Sequence, residues 1–96
     1  MTTINSLDTV VVAARTQVSS ILGGEAAILD TAHGVYFGLN SVATRVWGLI
    51  QQPRTVRQLR DSLVSEYEVE AGRCESDLLN LLNELLAAGL IQSPRE

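Results

Sequence analysis

Val35-Tyr-Phe-Gly-Leu-Asn-Ser-Val42 is where the chain changes character. Before Asn40, β-branched residues and glycines dominate, and after it leucines recur at helical spacing. In an extended segment Val35, Phe37 and Leu39 point to one face, and Tyr36 and Gly38 to the other. Asn40 then suits a helix N-cap, because its side-chain oxygen accepts a first-turn amide. The stretch therefore predicts a strand running directly into a helix.

Upstream, Glu25-Ala-Ala-Ile-Leu-Asp30 supplies an antiparallel partner for this strand, closed by Thr31-Ala-His-Gly34 with Gly34 at positive φ. Gly23-Gly24 reads as a turn, and Val10-Val-Val-Ala-Ala14 as a first strand. Thr16 to Leu22 fits a strand or a loop equally well. Downstream, Val42, Val46 and Leu49 predict a helix from Ser41 to about Gln51, ahead of Pro53. Thr55 and Gln58 form a capping box, and Val56, Leu59, Leu63 and Val64 carry a second helix to about Tyr67. The third helix runs from about Ala71 to Ala88, rich in leucine, with Gly89 as its left-handed cap. Ser93 to Glu96 reads as a frayed end. The expected fold class is α+β: a three-stranded antiparallel sheet followed by three helices, with winged helix-turn-helix content. A single domain over residues 1–96, ordered from about 10 to 91, follows from the length of 96 residues.

Charge narrows the function. Seven arginines, no lysines and eleven acids leave a net charge of -4, which repels phosphate backbones and anionic lipid surfaces. Arg54, Arg57 and Arg60 recur near one face of the second helix and are the one feature favouring a DNA-binding regulator. Against it stand Glu66, Glu68, Glu70, Glu75, Asp77 and Glu84 around the third helix. No nucleic-acid or membrane partner is expected. The N-terminus lacks a signal-peptide pattern and no apolar run approaches a membrane span, so the chain reads as soluble and cytoplasmic. A single cysteine excludes an internal disulfide and fits that compartment.

Catalysis lacks its parts. His33 reads as a solvated turn residue and Cys74 as a small buried thiol, with no base, carboxylate pair or ligand cluster to complete a site. No enzyme activity, metal or cofactor is expected, and no catalytic residue is assigned. Two features point instead to binding. On the third helix, taking ~100° per residue from Leu78, the apolar arc spans about 160°, wider than one packed layer requires. One flank holds Cys74, Leu81 and Leu85 beside Asp77; the other holds Leu79 and Leu86. The second feature is the edge of the Val35–Leu39 strand, which no proline or lysine guards. An open edge beside an apolar helix is the arrangement used for strand addition by an incoming peptide.

Ile28-Leu-Asp30, Gly34-Val-Tyr-Phe-Gly-Leu-Asn40, Val46-Trp47, Arg54-Thr55 and Leu85-Leu-Ala-Ala-Gly-Leu-Ile91, in this order, resemble the PqqD-like family over about Val10 to Ile91. The resemblance implies a winged helix-turn-helix peptide-recognition element for ribosomally made, post-translationally modified peptides, similar to the free-standing type of lasso-peptide clusters. Its partners would be the leader of a precursor peptide, a separate leader peptidase and a macrolactam-forming cyclase. The family places the leader as a strand added to the third strand, with apolar side chains toward the third helix. The matching positions here are Val35, Tyr36, Phe37, Gly38 and Leu39, with Cys74, Asp77, Leu78, Leu81, Leu82 and Leu85. The Leu81 and Leu85 flank is the expected cleft, with Asp77 at its rim, and the Leu79 and Leu86 flank the expected core. Asn40 and Trp47 match the pattern in structural roles, as cap and core anchor. Gly38 departs from it, since a side-chain-bearing residue is frequent there. The competing readings are a winged-helix DNA-binding regulator and a structural adaptor between two enzymes.

Overall fold

The computed structural model describes residues 4–14, 17–22, 25–30 and 34–93. Two antiparallel sheets and three helices build an α+β fold. Strands β1 (Val10–Ala13), β2 (Gln17–Leu22), β3 (Glu25–Asp30) and β4 (Val35–Gly38) precede helix α1 (Ser41–Leu49). Strand β5 (Arg54–Thr55), helices α2 (Val56–Glu66) and α3 (Ala71–Ala87), and strand β6 (Ile91–Gln92) complete the chain.

The single three-stranded sheet expected from the sequence becomes two, with strand orders β5-β1-β6 and β2-β3-β4. The segment whose state was open, from Thr16 to Leu22, provides β2, which pairs with β3 over six residues. The first strand leaves the hairpin altogether and pairs with β5 and β6 instead. Both partners are two residues long, too short to show the alternation by which a strand is recognised. Arg54 accordingly lies in β5 and not on α2.

Caps fix the helices where their residues predict. The Asn40 side chain accepts from the Ala43 amide at 2.9 Å, and Thr55 and Gln58 complete their reciprocal box at 3.1 and 2.9 Å. Gly34 and Gly89 have φ of 65° and 76°, the left-handed region each turn requires. His33 and Gly23-Gly24 lie outside the described residues. α1 ends at Leu49, two residues short of the expected boundary, with Ile50 as its buried C-cap.

One core joins the layers. Val11 of β1, Ile28 of β3, Val46 of α1, Leu59 of α2, and Leu82 and Leu85 of α3 are fully buried in it, and Trp47 is buried beside them. Order also begins earlier than the expected residue 10. Ile4 is buried, and its amide donates to Asn83 Oδ1 at 2.7 Å while Asn83 Nδ2 donates to the Ile4 carbonyl at 2.9 Å. This clamp lays the N-terminal segment along α3. At the other end Ser93 Oγ donates to the Val10 carbonyl at 2.9 Å.

Candidate functional site

Strand β4 is an edge, with β3 on one side and no described strand on the other. Its register settles which backbone groups face outward. Residues 27 and 38, 28 and 37, 29 and 36, and 30 and 35 stand opposite one another. Continuing this register, Leu39 faces Ala26, and the Leu39 amide does donate to the Ala26 carbonyl at 2.8 Å. In an antiparallel ladder, hydrogen-bonded and non-bonded pairs alternate. Phe37 therefore bonds inward to β3 along with Leu39, and Tyr36 and Gly38 turn their amides and carbonyls to the open side. Among the described residues no backbone hydrogen bond reaches Tyr36 or Gly38 from that side.

A groove of about 430 Å³ opens between the three helices just beyond the end of this strand. Asn40, Val42, Ala43 and Val46 line it from the α1 side, Leu63 and Tyr67 from α2 and its C-cap, Val69 from the following loop, and Arg73, Cys74, Asp77, Leu78 and Leu81 from α3. Its walls are mostly apolar, with Arg73 and Asp77 supplying charge. A second hollow, of about 380 Å³, lies on the hairpin and is lined by Glu25, Ala26, Ala27, Tyr36, Gly38, Leu39 and Asn40. Asn40 lines both, so the two depressions flank the junction of β4 and α1.

The residues singled out from the sequence fall into three groups. Cys74, Asp77, Leu78 and Leu81 come together along the groove. Tyr36, Gly38 and Leu39 border the hollow, while Phe37 is half-buried and packs against the core. Val35 lies in β4, paired with Asp30. Leu82 and Leu85 stand apart: both are fully buried and neither lines the groove, so a ligand lying there would not touch them. The reason is angular. With Leu78 at zero, Leu85 falls about 20° and Leu82 about 40° from it, in the middle of the arc, whereas Leu81 falls about 60° away at its margin. The opposite margin, Leu79 and Leu86, is only partly buried. It lies on the side of α3 where Asn83 clamps the N-terminal segment.

The groove's walls on α1 and α2 were not found from the sequence. Val69, in the loop after α2, did carry a signal, being an isolated apolar residue between Glu68 and Glu70 that is 44% exposed, whereas Val42, 41% exposed, stands four residues before Val46 and reads as part of the same apolar stripe. Leu63 and Tyr67 carried none, since a residue on an apolar stripe reads as core whether or not one of its sides is open.

Electrostatics do not favour chemistry at this site. Burial pushes the Cys74 thiol up, and the negative charge of Asp77 adds to the rise, so the reactive thiolate is disfavoured. Among the described residues no cluster of metal-ligating side chains forms. The three arginines that suggested DNA are engaged within the chain. Arg54 Nε donates to the Leu49 carbonyl at 3.2 Å, Arg57 pairs with Asp8 at 3.2 Å, and Arg60 pairs with Asp61 at 2.9 Å and Glu75 at 3.6 Å.

The model of a protein family described as Coenzyme PQQ synthesis protein D (PqqD) matches residues 25–91. The chain belongs to the PqqD family. The match begins with β3 and ends in β6, so the open strand and the whole groove lie inside it, while β1, β2 and Ile4 lie outside. Among solved structures, TbiB1 in complex with the TbiA(beta) leader peptide is similar to this PqqD-family chain, with a TM-score of 0.79 and 28% identity. The likeness covers 84% of this chain and 94% of the TbiB1 chain. No curated protein matches it in sequence.

Proposed function

We propose that this PqqD-family chain binds the leader segment of a ribosomally made precursor peptide, taking it up as an added strand on β4. The observation that carries this reading is the pair of outward-facing peptide groups at Tyr36 and Gly38, beside an apolar groove. Family membership and the leader-bound state of the similar TbiB1 chain support it. Backbone pairing would hold the leader with little regard to sequence, and the groove would select its apolar side chains. Leu81, Cys74, Leu78 and Asp77 are the α3 residues in position to do so.

The scaffold reads as a winged helix-turn-helix in which the β3–β4 hairpin stands beside the helices. Its role is non-catalytic and cytoplasmic: it raises the local concentration of precursor at a separate leader peptidase, and then at a macrolactam-forming cyclase. The test is a titration with synthetic leaders of any short precursor peptide found encoded beside this chain, set against random duplex DNA at low salt. Saturable leader binding with no duplex binding is expected. Duplex binding without leader binding would replace this reading with that of a winged-helix regulator.

A further inference from the structure

The sheet of β2, β3 and β4 has two open edges, and strand addition at β4 occupies only one. At the far edge β2 pairs with β3 on one side and with no described strand on the other. Its outward groups follow from the register. Ala26 and Ile28 of β3 turn toward β4, so Glu25, Ala27 and Leu29 exchange their hydrogen bonds with β2, where they stand opposite Leu22, Ser20 and Val18. Gln17, Ser19 and Ile21 therefore turn their amides and carbonyls to the open side. Among the described residues no backbone hydrogen bond reaches them from there.

Edges are ordinarily guarded by charge, proline or shortness. Strands β5 and β6 are two residues long, and β5 begins at Arg54. Strand β2 has six residues, Gln17-Val-Ser-Ser-Ile-Leu22, with neither a charge nor a proline among them. The edge that matches it in length, in lack of charge and in the spacing of its free groups is the same strand of a second copy. We infer that two copies of this chain pair through β2, antiparallel about a two-fold axis, into one sheet of order β4-β3-β2-β2-β3-β4.

Parity fixes the register of this pairing. An outward-facing residue must stand opposite another, so the axis passes through a residue and not between two. With Ser19 on the axis, residue 17 bonds with 21, 19 with 19, and 21 with 17. With Val18 or Ser20 there, the pairing at one end of the strand is lost, so Ser19 takes the axis. No like charges then stand opposite one another across the seam. The contact is isologous and closes at two copies. A single pair of strands makes it a weak interface, one that forms at high protein concentration. Both β4 edges stay free at the outer strands, about 24 Å apart across five spacings of ~4.8 Å, so one dimer offers two places for an added strand.

Sedimentation equilibrium of the full chain from about 10 μM to about 1 mM tests this, with residue-resolved amide exchange at both ends of the range. The expected result is a monomer–dimer equilibrium with no larger species. The Ser19 and Ile21 amides should be protected at the high concentration and exchange quickly at the low one, while Val18, Ser20 and Leu22, bonded to β3, change little. Ser19→Pro and Ile21→Pro each remove an outward amide that β3 does not use. By symmetry each deletes two intermolecular hydrogen bonds, and each should weaken the dimer about tenfold or more. Tyr36→Pro alters the opposite edge and should dimerise as the unsubstituted chain does. A chain that stays monomeric at about 1 mM would overturn the inference. A dimer in which Ser19 and Ile21 exchange as quickly as in the monomer would overturn it too. Loss of the dimer in Tyr36→Pro, with both β2 proline variants still dimeric, would assign the pairing to β4 instead. Amide exchange is read on the unsubstituted protein, so the test holds even where a proline variant unfolds.

Discussion

The two sheets of this chain are built from similar residues and end in opposite states. In the first, β1 is held on both sides, by β5 and by β6, and stitched further by the Ala13 amide on the Ile50 carbonyl and the Ala14 amide on the Leu90 carbonyl, at 2.8 and 2.9 Å. In the second, β4 is held on one side, and the peptide groups of Tyr36 and Gly38 face away from its neighbour. Helix α3 repeats the division, with Leu82 and Leu85 closed into the core and Leu81 and Asp77 along the open groove. The closed half consumes its pairing capacity in folding. The open half retains its capacity, and retained capacity at an edge is what makes a binding element.

The sharpest way to break this comparison is to cut a leucine from each side. Leu82→Ala is expected to cost about 2 to 5 kcal/mol of stability in urea unfolding, with leader affinity per folded molecule unchanged. Leu81→Ala is expected to do the reverse, keeping most of the stability and weakening the leader. Loss of stability without loss of affinity in Leu81→Ala would assign the open margin of α3 to the core. Leu79 and Leu86 provide the control on the other margin.

Proline separates the two sides of β4 itself. Phe37→Pro removes an amide that bonds to β3 and should lower stability by about 1 to 3 kcal/mol, the cost of leaving a ladder acceptor unpaired. Tyr36→Pro removes an amide that faces outward, so the fold should survive while leader affinity falls. A comparable loss of stability is expected at the N-terminal clamp, where Asn83→Ala removes both hydrogen bonds to Ile4 and should cost about 1 to 3 kcal/mol, with no change in leader binding. The smallest concerns the exposed bidentate pair of Arg45 and Glu66 at 2.8 Å, which ties α1 to α2. The hydrogen bond from Arg45 lowers the pKa of Glu66 below its ordinary value, and the guanidinium charge lowers it further. A carboxylate lowered in the folded state contributes stability above its unfolded pKa and loses it as pH falls through the folded one. Arg45→Ala should therefore be slightly less stable than the unsubstituted chain near neutral pH, and the difference should vanish in acid.

How much of this was legible in the sequence depends on how locally each feature is encoded. Asn40, Thr55 with Gln58, and Gly89 mark helix ends through bonds within a few residues, and their caps stand where the residues predict them. The β3–β4 hairpin was legible for the same reason. Strands β5 and β6 were not, because two residues have no period and exist only where β1 lies between them. Leu85 was placed on the flank of α3 when it belongs to the centre, since the arc of a helix shows its width and not which part faces the core. The Ile4 clamp depends on Asn83, 79 positions away. The groove needs Val42, Leu63 and Val69 from three different segments to meet, and only the folded chain brings them together.

The central claim is that a leader pairs with the outward groups of β4, and residue-resolved amide hydrogen exchange tests it most directly. In the free protein the Tyr36 and Gly38 amides should exchange quickly, and the Phe37 and Leu39 amides, bonded to β3, slowly. On saturation with leader, Tyr36 and Gly38 should become strongly protected while Phe37 and Leu39 change little by comparison. A leader that binds with saturable affinity and leaves the exchange of Tyr36 and Gly38 unchanged would contradict strand addition at this edge.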